Sequence, residues 1–229
     1  MVLSHLSAVE DAGFAVLSSV LDSDTVCQLG ENLRAGSLRR SKAGVCHALQ
    51  NPAVAAIAHD PRLLTIAQEV LGPRTSPFRA TLFDKSPESN WLVVWHQDTA
   101  LPLRKKQETP GWGPWSVKDG ITYAHAPAGA LAQILALRVH LDDSLASNGP
   151  LRVLPGTHTL GVLSDESIHE LAAKVPPADC LVSRGGILAM RPLIVHASSK
   201  SQSAIPRRVL HIEYAASLIT EEGLELAAA

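Results

Sequence analysis

Helix-forming and strand-forming patterns occupy separate parts of this chain, and this separation most constrains its fold. Before Gly72 the apolar residues recur mainly at helical spacing, whereas after it short apolar runs are divided by Pro, Gly, Asn and Ser clusters. A parallel sheet needs a crossover, usually a helix, between successive strands. The observed order instead predicts an α+β fold whose antiparallel sheet is closed or sandwiched.

Three segments in the first third have helical signals. The stretch "LDSDTVCQLGENLRA" starts with capping residues and continues with apolar residues at helical spacing. The stretch "HDPRLLTIAQEVLG" has Asp60 as N-cap, Pro61 at the first helical position and Gly72 just past the end. Between them, "NPAVAAIAH" predicts a further short helix.

Six later segments are predicted to be strands: "FRATLFDK", "WLVVWHQ", "ILALRVHLD", "PLRVLPG", "GILAMRP" and "RRVLHIEYA". The segment 99–130 is interpreted as a long loop, of the kind that often forms a lid or a binding loop. The tail after Leu218 is expected to fray. We therefore expect one domain over residues 1–229, with a mainly helical flank at 1–75, a sheet core at 76–217 and a tail at 218–229.

Composition excludes several classes of protein. Apolar residues make up 46% of the 229 residues and charged residues 18%, which favours a sizeable core over disorder. The formal net charge of −2 argues against a nucleic-acid-binding surface. No apolar stretch approaches 18 residues and no secretory leader is recognised, so we expect no membrane partner and a cytoplasmic protein. Cys27, Cys46 and Cys180 lack a CxxC spacing and are interpreted as core residues.

The stretch "VVWHQDTA" suggests a metal site. His96 and Asp98 are two residues apart at the end of an apolar run, so both project to one face if the strand continues through them. Taken alone, this pair is more typical of a polar surface pair at a strand end than of a metal site. His196, which follows the apolar stretch "ILAMRPLIV", is the best candidate for a third ligand. Two His and one carboxylate are the ligand set of non-haem Fe(II) oxygenases.

The stretch "SAIPRRVLHIEYA" suggests an anion site. Strand alternation puts Arg207, Val209 and His211 on one face and Arg208 on the other, so one arginine must point inward. An inward guanidinium needs an anion, because an unpaired buried charge is costly. A dicarboxylate cosubstrate would fit, with one end on the metal and the other on arginine. A surface arginine pair or an internal salt bridge remains the alternative.

Three stretches together resemble the phytanoyl-CoA dioxygenase (PhyH) family of Fe(II)/2-oxoglutarate oxygenases. They are "TLFDKSPESNWLVVWHQD", "LRVHLDDSLASNGPLRVLPGTH" and "MRPLIVHASSKSQSAIPRRVLHIEY", within a resemblance that covers roughly residues 10–216. The resemblance implies a double-stranded β-helix (a jelly-roll, cupin-like core) flanked by N-terminal helices. It also implies oxidation of a small-molecule substrate by O₂ and 2-oxoglutarate, with release of succinate and CO₂.

By this resemblance the site residues can be named. His96, Asp98 and His196 would be the iron ligands, and Arg207 with Ser198 would hold the distal carboxylate of 2-oxoglutarate. Thr81 and Arg138 fall at other cosubstrate-lining positions. Asn148 and Gly149 are interpreted as turn residues and His158 as structural. Because Asp98 is acidic, oxygenation, desaturation or ring closure is implied rather than halogenation, whose enzymes lack this carboxylate.

Other polar and aromatic residues leave alternatives open. Trp112, Trp115 and Tyr123 would either contact substrate or pin the 99–130 segment to the core. The stretch "PGWGPWSVKDG" in that segment has no assignable counterpart in members that use coenzyme-A thioesters, so such a substrate is not implied. Asp84 and Lys85 are interpreted as an ordinary strand-end charge pair, and Arg104, Lys105 and Lys106 as a solvated face, with contact to an anionic substrate group as the alternative. By the resemblance, the region of Arg40 and Lys42 can contribute a basic residue to the pocket.

Two further functions compete with the oxygenase. One is a cupin-type metalloenzyme that does not use 2-oxoglutarate, and the other is a non-catalytic jelly roll that binds a metal or ligand. Arg207 discriminates against the first, because without a dicarboxylate it has no evident task. The oligomeric state is not readable from the sequence.

Overall fold

The helices start and end at the capping residues that the sequence supplies. A computed structural model describes residues 3–35, 44–86 and 89–228. The Asn51 side chain accepts a hydrogen bond of 2.9 Å from the N–H of Ala53, and Asp60 accepts one of 2.9 Å from that of Arg62. The helices are α1 (Leu3–Asp11), α2 (Ser23–Ala35), α3 (Pro52–Ala58), α4 (Pro61–Leu71), α5 (Ala128–Ala132) and α6 (Asp165–Lys174).

Twelve strands lie within the described residues, and every strand pair is antiparallel. They are β1 (Phe14–Leu17), β2 (Ser76–Lys85), β3 (Val93–His96), β4 (Ala100–Leu103), β5 (Trp115–Lys118), β6 (Ile121–His125), β7 (Ile134–His140), β8 (Leu151–Val153), β9 (Ala178–Cys180), β10 (Ile187–Met190), β11 (His196–Ser198) and β12 (Arg207–Ala215). They form a main sheet ordered β1-β10-β7-β12-β2, a minor sheet ordered β3-β11-β8-β9, and a third sheet ordered β4-β6-β5. Each of the six predicted strands overlaps an observed one, and β2 starts two residues before the predicted segment.

The two faces of the main sheet have opposite chemistry. On β12, Leu210 and Ile212 are fully buried and pack with the helices in the largest apolar cluster. On the other face, which lies toward the interior of the roll, Arg207 and His211 are buried polar residues on either side of the apolar Val209. The predicted alternation of this strand is confirmed, and a polar interior is what a site for charged ligands requires.

The prediction of a loop over 99–130 is wrong. Within this segment, β4, β5 and β6 form a small sheet, and α5 follows it. The apolar face of that sheet, with Leu101 and Leu103, packs against Phe78 of the main sheet. A short, Pro-containing strand gives little alternation to detect, which is why the sequence did not show it.

The expectation of a frayed tail is also wrong. Leu224 and Leu226 are each 3% exposed and join the same apolar cluster. The N–H of Ala227 donates to the Pro102 carbonyl at 3.0 Å, and that of Arg104 to the Glu225 carbonyl at 3.0 Å. The C-terminal segment therefore runs beside β4.

Two of the three cysteine predictions fail as well. Cys180 is buried as expected, but Cys27 and Cys46 are exposed. Cys27 lies on the solvent side of α2, whose apolar positions point to the sheet. Arg40 and Lys42 lie outside the described residues. None of the helices in the described ranges has the length and apolar character needed to cross a bilayer.

Candidate metal and cosubstrate site

Strand pairing in the minor sheet brings the three predicted metal ligands together. His96 ends β3, and His196 begins β11 directly opposite it in the register. Asp98 follows β3, where its N–H donates to the Pro192 carbonyl at 3.0 Å. His96 and His196 are 100 residues apart in sequence, but they occupy neighbouring positions on two paired strands.

The donor atoms of this triad converge. The Nε2 atom of His96 lies 3.7 Å from Asp98 Oδ1, and that of His196 lies 3.5 Å from Asp98 Oδ2. One donor atom from each residue lies within 4.8 Å of the other two. His96 and Asp98 are partly exposed, with side-chain exposures of 37% and 30%, whereas His196 is buried. An ion held here would keep an accessible side.

In both histidines, the hydrogen bond made by Nδ1 leaves Nε2 free to bind a metal. His96 Nδ1 lies 2.8 Å from the Val94 carbonyl, and His196 Nδ1 lies 2.9 Å from the Ile194 carbonyl. A carbonyl only accepts, so each Nδ1 carries the proton and each Nε2 presents a lone pair. Such outer contacts orient metal-bound histidines and increase their basicity. The donor set therefore fits an Fe(II) ion.

The charge states of the triad agree with this role. Burial lowers the pKa of His196 to about 4, against the raising effect of Asp98, so the imidazole is neutral at neutral pH. Burial by itself would raise the pKa of Asp98. The imidazoles of His196, His211 and His96, with the Arg79 guanidinium, nevertheless hold it well below its usual range. A neutral imidazole and an ionised carboxylate are the forms that bind metal.

Gln97, which sequence reasoning missed, anchors the strand end from behind. It lies between the two ligands and points to the opposite side, where it is 8% exposed. Its amide nitrogen donates to the carbonyls of Gly161 (2.9 Å) and Leu193 (2.7 Å), and its oxygen accepts from the N–H of Leu163 (2.9 Å). It thus ties β3 to the turn that leads into His196. Strand alternation could have predicted that Gln97 points to the face opposite the ligands. Its hydrogen-bond partners could not be predicted, because they lie on distant segments of the chain.

We expect Gln97→Leu to lower the free energy of unfolding by roughly 2–4 kcal/mol, because one buried and two part-buried backbone groups lose their partner. Iron affinity should also fall, by about tenfold, because the two ligands lose their common anchor. Urea unfolding and anaerobic Fe(II) titration measure the two effects. Gln28→Leu, at an exposed position of α2, is the matched control. Unchanged iron affinity in a folded Gln97→Leu protein would restrict Gln97 to stabilising the fold.

Arg207 and Ser198 form the predicted anion site. Arg207 is 4% exposed, and its guanidinium donates to Ser198 Oγ at 3.3 Å and to the Asn148 carbonyl at 3.4 Å. Among the described residues, no carboxylate lies within 4.0 Å of it. Burial, reinforced by the charge of Arg138, lowers the pKa of Arg207 to about 10, so it stays cationic at neutral pH. A buried cation without a counter-ion favours an anionic ligand.

The turn predicted at Asn148 and Gly149 supports this anion site. Asn148 Oδ1 accepts from the N–H of Leu145 at 2.8 Å, and Ser198 Oγ donates to the Gly149 carbonyl at 2.9 Å. Gly149 has a φ of 67°, and a Cβ there would lie 2.4 Å from the Ser199 carbonyl oxygen. Only glycine fits this conformation and approach. Both turn residues are confirmed in that role.

Lys85 belongs to the same site, and its interpretation as half of an ordinary strand-end charge pair with Asp84 is wrong. The two residues point to opposite faces of β2, and Lys85 is 1% exposed. Its Nζ donates to Ser198 Oγ at 2.9 Å and to the Ser199 carbonyl at 2.6 Å. The signal was available, since Lys85 is four residues from Thr81 and so shares its inward face.

Arg138 and Thr81 line the same interior, four residues along β12 from the level of Arg207. Both are paired in register with His211 of β12, on either side of it. Arg138 is 6% exposed, and its Nη1 donates to His211 Nδ1 at 3.0 Å. Their predicted role in cosubstrate binding remains a prediction, with inward placement in its favour.

The three aromatic residues proposed for substrate lie on different faces of the third sheet. Trp112 is buried in the apolar cluster under that sheet, and Trp115 packs against the same cluster. Tyr123 points to the other face, where its hydroxyl lies 3.0 Å from His47 Nε2. Tyr123 is 7% exposed, and burial raises the pKa of its hydroxyl. Contact with substrate stays a prediction for all three, and Tyr123 has the most suitable placement.

The remaining polar candidates lie outside the site. Arg104, Lys105 and Lys106 are exposed, as interpreted, and Arg104 pairs with Glu225 at 2.8 Å. His158 Nε2 donates to the Glu10 carbonyl at 3.0 Å, which ties the turn after β8 to α1. The interpretation of His158 as structural is confirmed.

Comparison with known proteins identifies the family. The sequence profile of the phytanoyl-CoA dioxygenase (PhyH) family matches residues 9–209. The chain belongs to this family. Among curated relatives of this PhyH chain, the L-proline trans-4-hydroxylase of Streptomyces griseoviridis is 26% identical over 67% of the chain and 59% of the relative. The ectoine dioxygenase of Sphingopyxis alaskensis is 23% identical over 86% of the chain and 62% of the relative. The PhyH chain thus spans about six tenths of the length of each.

A solved structure confirms the fold. EctD from S. alaskensis, crystallised with 2-oxoglutarate and 5-hydroxyectoine, superposes with a TM-score of 0.70 at 22% identity. The match covers 93% of this chain and 75% of that one. The predicted double-stranded β-helix of this PhyH protein is therefore confirmed.

Proposed function

We propose that this protein is an Fe(II)- and 2-oxoglutarate-dependent oxygenase that oxidises a small molecule. The observation that carries the proposal is a three-ligand cluster facing the same interior as a buried arginine without a carboxylate partner among the described residues. His96, Asp98 and His196 would hold iron, and Arg207 with Ser198 and Lys85 would hold the distal carboxylate of 2-oxoglutarate. The named activities of the proline and ectoine relatives support a small substrate.

Each group in the site has a distinct task in this reaction. Iron and 2-oxoglutarate would together supply the oxidising power, with one oxygen atom of O₂ entering succinate and the other available for the substrate. The protein supplies position and charge. The two Nδ1 hydrogen bonds aim the imidazoles, and Arg207 sets the direction of the cosubstrate. Of the three aromatic candidates, Tyr123 has the most suitable placement to contact substrate.

The decisive experiment separates this function from its two competitors. Anaerobic addition of Fe(II) and then 2-oxoglutarate should produce a weak charge-transfer band in the visible range, because both must chelate together. Admission of air should then yield succinate, stimulated by the correct small molecule. A metal-bound protein without the band would favour a cupin-type enzyme that does not use 2-oxoglutarate. A band without succinate in a substrate screen would favour a non-catalytic binder.

Lys85 predicts a pH dependence of cosubstrate binding. Burial, followed by the charges of Arg207 and Arg138, lowers the pKa of Lys85 to about 8. The ligand-free site therefore loses one cation as the pH rises through 8, and the Kd for 2-oxoglutarate should increase by up to about tenfold. Calorimetric titration about one pH unit below and above this value measures the change. Lys85→Met should bind weakly at both values, and a pH-independent Kd in the wild type would contradict this role.

The same shift affects stability in the opposite direction. The folded-state pKa of about 8 lies below the ordinary value of 10.5, so the folded protein binds fewer protons than the unfolded chain between these values. Stability of the ligand-free protein should therefore rise with pH across this window. Lys85→Met should remove that rise in thermal unfolding profiles.

A further inference from the structure

A cavity of about 460 Å³ is formed apart from the metal and cosubstrate site. We call it the rear cavity, and it lies between the end of α1, helix α5, residues 158–161 after β8 and residues 191–193 between β10 and β11. Its lining includes none of the described residues assigned to iron or 2-oxoglutarate. Its volume is within the range of small-molecule sites, roughly 300–1,000 Å³. The rear cavity is therefore large enough for a ligand of its own.

Arg191 gives one wall of the rear cavity a positive charge. Its Nη1 donates to the Ala132 carbonyl at 3.1 Å, and its guanidinium has no other hydrogen bond with the described residues. No described carboxylate lies within 4.0 Å of it. Burial lowers the pKa of Arg191, against the raising effect of the Glu10 charge. A guanidinium is always charged and has five N–H donors, so several are left for an anionic group.

Glu10 gives the same cavity a negative charge. It is an exposed residue near the end of α1, and its charge acts on the pKa of Arg191. The two side chains do not form an ion pair within 4.0 Å, so each can bind a separate group. The wall also has apolar side chains, among them Leu131 and Leu193, which are 0% and 5% exposed. A ligand with a carboxylate, an ammonium group and an apolar side chain would match these three features.

The wall of the rear cavity also holds the segment that carries the metal ligands. The carbonyls of Gly161 and Leu193 accept the two hydrogen bonds from the Gln97 amide nitrogen. The Pro192 carbonyl accepts the hydrogen bond from the Asp98 N–H. All three carbonyl residues line the cavity. A ligand packed against them would restrict their motion, and a segment that is already ordered loses less conformational entropy when a second ligand binds.

We propose that the rear cavity binds a small apolar α-amino acid, with its carboxylate on Arg191 and its ammonium group near Glu10, and that this binding strengthens iron binding at the triad. The amino-acid site is independent of the proposed function, whereas its coupling to iron rests on it. By linkage, the amino acid and the ion raise each other's affinity by the same factor. The protein would then take up iron best when the amino acid is abundant.

Calorimetric titration of metal-free protein with L-leucine tests the site. Two analogues isolate the charged groups, since 4-methylpentanoate lacks the ammonium group and 3-methylbutylamine lacks the carboxylate. L-Leucine should bind more tightly than the amine by about 10- to 100-fold, because the contact with Arg191 is charge-assisted. Its advantage over the acid should be about 2- to 5-fold, because Glu10 is exposed.

Two variants place the bound amino acid in the rear cavity rather than beside the triad. Arg191→Met should remove the advantage of L-leucine over the amine, and Glu10→Gln should remove its smaller advantage over the acid. Arg34→Met, at an exposed position of α2, is the matched control and should bind L-leucine as the wild type does.

Anaerobic Fe(II) titration with and without saturating L-leucine tests the coupling. In the wild type the Kd for Fe(II) should fall by about 5-fold or more when L-leucine is present. In Arg191→Met the same concentration of L-leucine should leave the Kd for Fe(II) unchanged.

The amino-acid site is refuted by undetectable L-leucine binding to the metal-free wild type, or by wild-type L-leucine affinity in a folded Arg191→Met protein. An iron affinity that does not respond to L-leucine in the wild type refutes the coupling. Should Arg191→Met not fold, Glu10→Gln still decides, because it changes an exposed residue. Succinate formation is scored separately, and its absence beside an intact coupling would refute the oxygenase and not the rear-cavity site.

Discussion

His196→Ala is expected to eliminate succinate formation and to weaken Fe(II) binding by more than about 100-fold, the upper range for loss of an outer-shell partner alone. His196 is the buried member of the triad, and its Nε2 is aimed by the Ile194 carbonyl. The two ligands that remain are about one-third exposed, so solvent competes with them for the ion. Neither could restore the missing donor without moving a strand end.

The measurement combines anaerobic Fe(II) titration with succinate assays at saturating iron. His59→Ala is the matched control, because His59 is exposed at the end of α3 and its Nδ1 contacts the Ala55 carbonyl in the same manner. That variant should retain iron affinity and turnover. Wild-type iron affinity in a folded His196→Ala protein would remove this residue from the metal site.

Arg207→Met is expected to weaken 2-oxoglutarate binding without lowering the free energy of unfolding. Affinity for 2-oxoglutarate should fall by at least about 100-fold, because two charge-assisted hydrogen bonds to a carboxylate are lost. The ligand-free protein should be as stable as the wild type or more stable, since a buried cation without a carboxylate is replaced by an apolar chain of similar length. A residue needed only for folding would show the reverse: a lower free energy of unfolding with unchanged 2-oxoglutarate affinity.

Arg208→Met is the control for this prediction. Arg208 follows directly in the chain, points to the opposite face of β12 and pairs with Asp142 through contacts of 2.8 Å and 2.6 Å. Its loss should destabilise the fold by about 1–3 kcal/mol and leave 2-oxoglutarate binding intact. Denaturant unfolding and calorimetry on both variants measure the pattern. Equal loss of 2-oxoglutarate affinity in the two would refute the assignment of Arg207.

The sequence predicted those parts of the fold that depend on local pattern. Capping at Asp60, alternation along β12 and the His96–Asp98 spacing are local signals, and each has the structure expected of it. The meeting of His196 with His96 is not local: the sequence pattern offered His196 only as a candidate, and the family resemblance implied the full ligand set. Strand pairing could not have been derived from spacing alone.

The failures have a common physical origin. Leu224 and Leu226 are buried only because β4 provides a surface for them, and β4 was itself hidden by its length and by Pro102. Lys85 looks like a surface residue until Ser198 is placed beside it. Gln97 needs three backbone groups from two other segments to explain its burial. Such residues are interpretable only once tertiary neighbours are known.

Because Leu226 packs beside β4, the segment at residues 225–227 supports the strand that follows the metal ligand Asp98. Strand β4 begins at Ala100, two positions after Asp98, and its outer edge is covered by residues 225–227. Cutting the chain after Ser217 would uncover that edge and loosen the peptide that carries the carboxylate. For biochemical work, an affinity handle at this end should be joined through a long flexible spacer, so that it does not lift the segment from its seat.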